Sequence, residues 1–150
     1  MLLYLVEDDP LKAAQIAGAV EEEIEGVIVE IYRSYNTGLT AVRSMPPDVL
    51  LTDMSLPTFD RSPGQRTGRL RPLGGYELML KAQGKVRSAI VITMLQRFGD
   101  GDGEISVQDV RLMCEEAFPH FFKGLVRFVL GGAPWRQELI DLLRRARSDG

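Results

Sequence analysis

The sequence predicts a single α/β domain built on a five-stranded parallel sheet flanked by helices. Short apolar runs alternate five times with stretches of helical spacing, which is typical of strands joined by right-handed crossover helices. The runs end in polar side chains that can carry chemistry, as expected at one edge of such a sheet. A length of 150 residues gives room for one domain of ordinary size, so we expect residues 1–150 to form one unit.

Three strands and two helices are predicted in the first part of the chain. In order they are strand 2–6, helix 11–25, strand 27–32, helix 36–45 and strand 48–53. The first run is short and unbroken, as in strands buried on both faces. In the first helix Leu11 is counted among the apolar positions, and Gly26 follows the last turn, where glycine is common.

The second part is predicted to contain two strands, three helices and two long loops. In order they are loop 57–75, helix 76–82, strand 89–94, glycine-rich loop 99–103, a helix capped by Ser106 with Asp109, strand 120–123 and helix 136–147. Residues 58–73 are interpreted as a basic loop insertion. Its four arginines are Arg61, Arg66, Arg69 and Arg71.

Composition and charge exclude several classes of protein. The net charge is −3, from 18 basic and 21 acidic residues, which argues against direct DNA binding. A single cysteine cannot form an internal disulfide, and no apolar run approaches the roughly 20 residues that span a bilayer. No secretory signal pattern is present at the N-terminus. We therefore expect a cytoplasmic protein without a membrane partner.

Acidic side chains gather at the ends of the predicted strands. Glu7 and Asp8 follow the first strand, and Asp53 ends the third. Their mutual repulsion at one sheet edge favours a bound divalent cation, and oxygen ligands suit Mg²⁺ better than zinc. Thr93 and Lys123, at two further predicted strand ends, are suited to bind a phosphoryl group. The pattern predicts metal-assisted phosphoryl transfer onto a carboxylate.

Residues 3–10, 47–57 and 74–78 resemble the receiver domains of bacterial two-component response regulators, and residues 91–93 and 121–123 complete the pattern. The resemblance covers nearly the whole chain and implies the flavodoxin-like topology of that family, with expanded loops after the third and fourth strands. It further implies a phosphorelay signal transduction role, as a phosphoprotein switch rather than an enzyme.

The resemblance assigns a role to each candidate residue of the metal site. Asp53 is expected to be the phosphoacceptor. Asp8 and Asp53 are expected to bind Mg²⁺ directly, together with the backbone carbonyl of Ser55, and Glu7 is expected to act through a water molecule.

The resemblance also assigns the phosphate-binding and switch residues. Thr93 corresponds to the switch hydroxyl, Lys123 to the phosphate-pairing lysine, and His120 to the switch aromatic position. Two residues depart from the family pattern: Met94 replaces a small residue after the threonine, and Gly124 replaces a proline after the lysine.

The function implied is that of a stand-alone response regulator without an effector domain. A histidine kinase or phosphotransfer protein is expected to phosphorylate Asp53, and phosphorylation is expected to change binding to a downstream protein partner or a homodimer. A pseudo-receiver, an adaptor that binds partners without phosphorylation, is the alternative that bulky Met94 keeps open. A flavodoxin-like binder of nucleotides or small molecules is opposed by the acids in the first loop.

Two segments allow more than one interpretation. In segment 125–135, Phe128 and Trp135 either anchor a partner protein or cover the domain's own core. Residues 98–109 resemble a calcium-binding loop, but Phe98 occupies the first ligand position, which favours a plain turn.

Overall fold

Strands and helices alternate along the chain in the computed structural model, which describes residues 1–61 and 69–148. The strands are β1 (Leu2–Val6), β2 (Ile28–Tyr32), β3 (Val49–Thr52), β4 (Leu56–Pro57), β5 (Leu70–Arg71), β6 (Ser88–Thr93), β7 (Arg97–Phe98), β8 (Ile105–Ser106) and β9 (Phe122–Arg127). The helices are α1 (Pro10–Glu23), α2 (Tyr35–Ser44), α3 (Gly74–Ala82), α4 (Val107–Ala117) and α5 (Pro134–Ser148).

Five of the strands form one parallel sheet in the order β2-β1-β3-β6-β9. This order reverses direction between β1 and β3, so the carboxyl ends of these two neighbouring strands flank a crevice where ligands bind in open α/β sheets. The predicted fold class, a five-stranded parallel sheet flanked by helices with flavodoxin-like topology, is confirmed.

The core lies on both faces of the sheet. Successive residues of β1 point to opposite faces, so Leu5 packs in a cluster with residues of α1 and α5, whereas Val6 packs in a cluster with residues of α2, α3 and α4. Both side chains are fully buried. Because the sheet is covered on both faces, its central strands are apolar without alternation, as the sequence suggested.

The start of α3 is pressed against the backbone that follows β3. The N–H of Gly75 donates to the carbonyl of Met54 at 2.8 Å. A Cβ on Gly75 would lie against the carbonyl oxygen of Asp53 and 2.9 Å from Cα of Met54. Only glycine therefore allows this approach, which fixes the backbone on the carboxyl side of Asp53.

The fifth strand of the sheet differs from the prediction. It runs from Phe122 to Arg127, not from residue 120 to 123, and Thr93 of β6 pairs with Arg127. The predicted strand end at Lys123 was therefore wrong, because the strand continues through Gly124. A Cβ on Gly124 would lie 2.9 Å from Cδ1 of Leu142. The absence of a side chain at this position therefore lets α5 pack closely against β9.

The described part of the basic insertion 58–73 includes a short strand. Strand β4 pairs antiparallel with β5, and Arg71 in β5 contacts Glu77 at 2.7 Å and lies 4.4 Å from the centre of the Tyr35 ring. Arg66, which was counted in the basic loop, lies outside the described residues.

The second glycine-rich loop folds as a short hairpin turn. Strand β7 pairs antiparallel with β8, and Phe98 is buried, whereas Asp100 and Asp102 are exposed. The predicted cap is present: Ser106 Oγ accepts the N–H of Asp109 at 3.1 Å. This geometry is a turn leading into α4.

The aromatic residues of segment 125–135 belong to the core. Phe128 is 1% exposed and Trp135 is 6% exposed, and their ring centres lie 4.8 Å apart. Of the two interpretations of this segment, the packing supports core coverage. Among the helices of residues 1–61 and 69–148, none has both the length and the apolar character needed to cross a membrane.

Candidate functional site

A cleft at the carboxyl edge of the sheet collects the acidic residues. Its volume is about 210 Å³, and it is lined by Glu7, Asp8, Asp9, Lys12, Asp53, Ser55, Pro57, Leu70, Met94 and Leu95. Glu7 follows β1 and Asp53 follows β3, and the N–H of Asp53 donates to the carbonyl of Val6 at 3.1 Å. The parallel pairing of β1 with β3 thus places the two carboxylates side by side.

The Asp53 carboxylate is held on both of its oxygens. Oδ1 accepts the backbone N–H of Met54 at 2.7 Å, and Oδ2 accepts from the Lys12 ammonium at 3.1 Å. The side chain is 14% exposed. It is therefore oriented by the protein and still reachable from the cleft.

Lys12, in the first turn of α1, is a buried cation at the centre of the site. Its Nζ lies 2.6 Å from Oε1 of Glu7 and 3.1 Å from Oδ2 of Asp53, and it donates to the carbonyl of Ile92 at 3.0 Å. The residue is only 1% exposed. A buried ammonium needs such oxygen partners to offset its desolvation.

Glu7 is almost fully buried beside this cation. The pKa of Glu7 is raised to about 7: burial is the main cause, the Asp53 charge adds to the rise, and Lys12 opposes it. Its Oε2 accepts the N–H of Asp9 at 3.1 Å. The carboxyl group is thus fixed between Lys12 and the start of α1.

Asp8 and Asp9 have different roles from Glu7. Asp9 caps α1, since its Oδ1 accepts the N–H groups of Leu11 and Lys12 at 2.9 and 3.2 Å. Asp8 lies in the cleft with a side chain that is 27% exposed, and its Oδ2 is 3.6 Å from Nε of Arg61. Of the three consecutive acids, Glu7 and Asp8 are the two available to chemistry.

Thr93 lies at the carboxyl end of β6, as the sequence predicted. It is fully buried, and its Oγ1 accepts the N–H of Leu95 at 3.2 Å. Met94, which follows it, is 42% exposed and lines the cleft. Met94 and Leu95 thus contribute two apolar side chains to the lining of the cleft.

The structure does not bring Lys123 and His120 to this cleft. Lys123 is the second residue of β9 and follows Phe122, which pairs with Ala89 near the start of β6. It lines a different cleft, beside Arg111 and Glu138. His120 precedes β9 and is exposed. Both residues lie toward the amino end of the sheet, because β9 begins where the prediction had it ending.

Two curated relatives match nearly the whole chain. The uncharacterized protein y4jR of Sinorhizobium fredii (strain NBRC 101917 / NGR234) is 24% identical over 140 residues, covering 91% of this chain and 92% of its own. The Detocs response regulatory protein DtcB of Vibrio alginolyticus is 26% identical over 148 residues, covering 95% and 99%. No protein-family model matches the chain.

Solved structures show the same fold. RcsB from Salmonella enterica serovar Typhimurium, bound to promoter rprA in the presence of the phosphomimetic BeF₃⁻, matches with a TM-score of 0.62 and 18% identity over 98% of both chains. The response regulatory domain of mrkE from Klebsiella pneumoniae matches with a TM-score of 0.64 and 13% identity over 99% of this chain and 97% of that one. The chain has the fold of a response regulator receiver domain.

The donor atoms at this cleft suit a magnesium ion. The expected direct ligands are two carboxylates, Asp8 and Asp53, with the backbone carbonyl of Ser55, and all three residues line the cleft. All are oxygen donors, which Mg²⁺ prefers. Within residues 1–61 and 69–148, no group of three or more His, Cys, Asp and Glu side chains is placed to hold a metal ion. The expected direct ligands include only two such side chains, and their oxygen atoms are of the kind that Mg²⁺ binds.

Sequence reasoning missed Lys12, which contacts Glu7, Asp53 and the Ile92 carbonyl. One signal was available: Lys12 is one turn before Ile16 and two turns before Ala19, and all three lie on the buried face of α1. A charge at an apolar position of an amphipathic helix indicates a buried ion pair. Counting Leu11 among the apolar positions placed the apolar face of α1 one residue too early. Leu11 is 55% exposed, whereas Lys12 is buried.

Proposed function

We propose that this receiver domain accepts a phosphoryl group on Asp53 and passes on the signal by changing its binding to another protein. The observation that supports the proposal is the Asp53 carboxylate itself: it is oriented on both oxygens, reachable from the cleft, and surrounded by Glu7, Asp8 and Lys12. The donor would be a histidine kinase or a phosphotransfer protein in the cytoplasm.

In this reaction an oxygen of Asp53 attacks the phosphorus atom of a phosphohistidine. The P–N bond breaks, a P–O bond to the carboxylate forms, and the donor imidazole, already protonated on its other ring nitrogen, leaves as a neutral ring. Asp8, Asp53 and the Ser55 carbonyl would hold Mg²⁺, with Glu7 acting through water, and the ion supplies charge neutralisation when bound.

The response to phosphorylation would begin at Thr93. Its hydroxyl accepts the N–H of Leu95, so reorientation toward a phosphoryl oxygen would break that bond and release the residues after β6. Output would then depend on a downstream protein or a second copy of the chain that binds the altered surface.

Intact-mass measurement tests the assignment of Asp53. After incubation with acetyl phosphate and Mg²⁺, the wild-type protein should gain one phosphoryl group and Asp53→Asn should gain none. Asp102→Asn, which removes an exposed carboxylate outside the cleft, is the matched control and should be labelled like the wild type. Labelling of Asp53→Asn would contradict the proposal. A wild-type protein that is never labelled would favour the pseudo-receiver alternative instead.

A further inference from the structure

We propose that Lys12, from the first turn of α1, is the cation that pairs with the phosphoryl group on Asp53. This inference rests on the proposed function and adds the residue that neutralises the product of the reaction. It replaces the assignment of that role to Lys123, which the resemblance suggested.

The first argument is contact. Nζ of Lys12 is 3.1 Å from Oδ2 of Asp53, an oxygen of the reacting carboxylate. The carbonyl of Ile92 and Oε1 of Glu7 complete the surroundings of the ammonium at 3.0 and 2.6 Å. A group bonded through an Asp53 oxygen therefore forms within reach of a positive charge already in place.

The second argument is charge. Glu7 and Asp53 together can carry two negative charges against the one positive charge of Lys12. Phosphorylation converts the Asp53 carboxylate into an acyl phosphate with additional negative charge, so the product needs a nearby cation more than the starting state does. A charge that stabilises the product more than the reactant also stabilises the developing charge between them.

The third argument is preorganisation. Lys12 is 1% exposed, and its Nζ lies 5.9 Å from the centre of the buried Phe128 ring. Its backbone N–H is bound by the Asp9 cap. The ammonium is already removed from water and the backbone of Lys12 is already fixed. Little further entropy is therefore lost when the ammonium binds the phosphoryl group.

The fourth argument is the position of Lys123. Thr93, at the carboxyl end of β6, pairs with Arg127, whereas Lys123 lies four residues earlier in β9. At about 3.3 Å per residue, that separation is roughly 13 Å along the strand. Lys123 lines the cleft beside Arg111 and Glu138, not the acidic cleft.

The rate of phosphorylation by acetyl phosphate, measured with Mg²⁺ by intact mass, tests the inference. Lys12→Met keeps an unbranched side chain, shorter by one atom, and removes its charge, and we expect the rate to fall roughly 10- to 100-fold, the effect of losing one charge-assisted hydrogen bond. Lys12→Arg keeps the charge and should recover part of the rate. Lys85→Met, at an exposed lysine outside the cleft, is the matched control and should keep the wild-type rate.

A second variant separates catalysis from folding. Lys12→Met leaves Glu7 and Asp53 without their counter-charge, so the variant can lose stability. The double variant Glu7→Gln with Lys12→Met restores the charge balance of the pair, and it should fold yet remain slow compared with Glu7→Gln alone. If the double variant and Glu7→Gln are labelled at equal rates, Lys12 is a structural residue and the inference is overturned.

The outcomes also distinguish this inference from the proposed function. If the wild-type protein is labelled, Lys12→Met is labelled at the same rate and Lys123→Met is slow, then Asp53 remains the acceptor and the inference about Lys12 is overturned. If the wild-type protein is not labelled at all, the proposed function itself fails, and the inference fails with it.

Discussion

At the scale of single residues, the buried Lys12 sets the electrostatics of the cleft. Removing an ammonium from water costs several kcal/mol after relaxation, and its oxygen contacts must offset that cost. Its three contacts come from Glu7, Asp53 and the Ile92 carbonyl, which belong to three different strand ends. One side chain thus ties α1 to three neighbouring strands of the sheet.

Cys114 provides a residue-scale prediction about native protection. It is fully buried on α4, and burial raises the pKa of its thiol to about 12, with Glu115 adding to the rise. Because the thiolate is the reactive form, iodoacetamide at about pH 8 should alkylate the native protein at least roughly 100-fold more slowly than the denatured protein. Mass spectrometry over time gives both rates. Equally fast alkylation would mean that α4 opens readily in the native state.

At the scale of elements, the sequence predicted most of the sheet and missed the extent of β9. The strands β1, β3 and β6 are continuous apolar runs followed by polar residues, so their ends were visible. In β9 the predicted strand ended at Lys123, whereas the strand continues through Gly124, which leaves room for Leu142 of α5. That contact is made by a residue of α5, the next helix along the chain, so the residues around position 124 alone could not indicate it.

The same misplaced strand end explains the two site residues that the fold does not bring together with Asp53. The predicted positions of Lys123 and His120 depended on where the strand was expected to end. Because the strand begins at Phe122, both residues lie toward the amino end of the sheet. Glu7, Asp8, Asp53 and Thr93 follow strands with clear ends, and they were placed correctly at the carboxyl edge. The cation of the site, Lys12, lies on helix α1, whereas the site residues were predicted from the ends of strands.

Gly75 provides a prediction about how α3 supports the site. Gly75→Ala should lower the free energy of unfolding by roughly 1–3 kcal/mol, because the new Cβ would press on Asp53 and Met54 and force the backbone apart. Gly18→Ala in α1 is the matched control. No described atom lies within 4 Å of that Cβ, so the change should stabilise the protein by about 0.5–1 kcal/mol. Urea unfolding measures both, and an unchanged Gly75→Ala midpoint would contradict the close approach.

At the scale of the whole molecule, two apolar layers cover the faces of the sheet, and the polar residues of the candidate site lie at its carboxyl edge. The layer between the sheet and α1 with α5 includes Phe128 and Trp135, and it extends to the ammonium of Lys12, 5.9 Å from the Phe128 ring. The core on this face therefore supports the acidic cleft directly. Phe128, which directly follows β9, is thus a core residue that lies near the site.

The burial of Phe128 gives the last prediction, which concerns stability. Phe128→Ala should lower the free energy of unfolding by about 3–5 kcal/mol, since it empties a buried aromatic site beside Trp135. Val129→Ala, at the next residue, which is 58% exposed, should change the same quantity by less than about 0.5 kcal/mol. Denaturant unfolding followed by Trp135 fluorescence gives both values. If Phe128→Ala retained full stability while partner binding or self-association was lost, segment 125–135 would be an interaction surface and not the cover of this core.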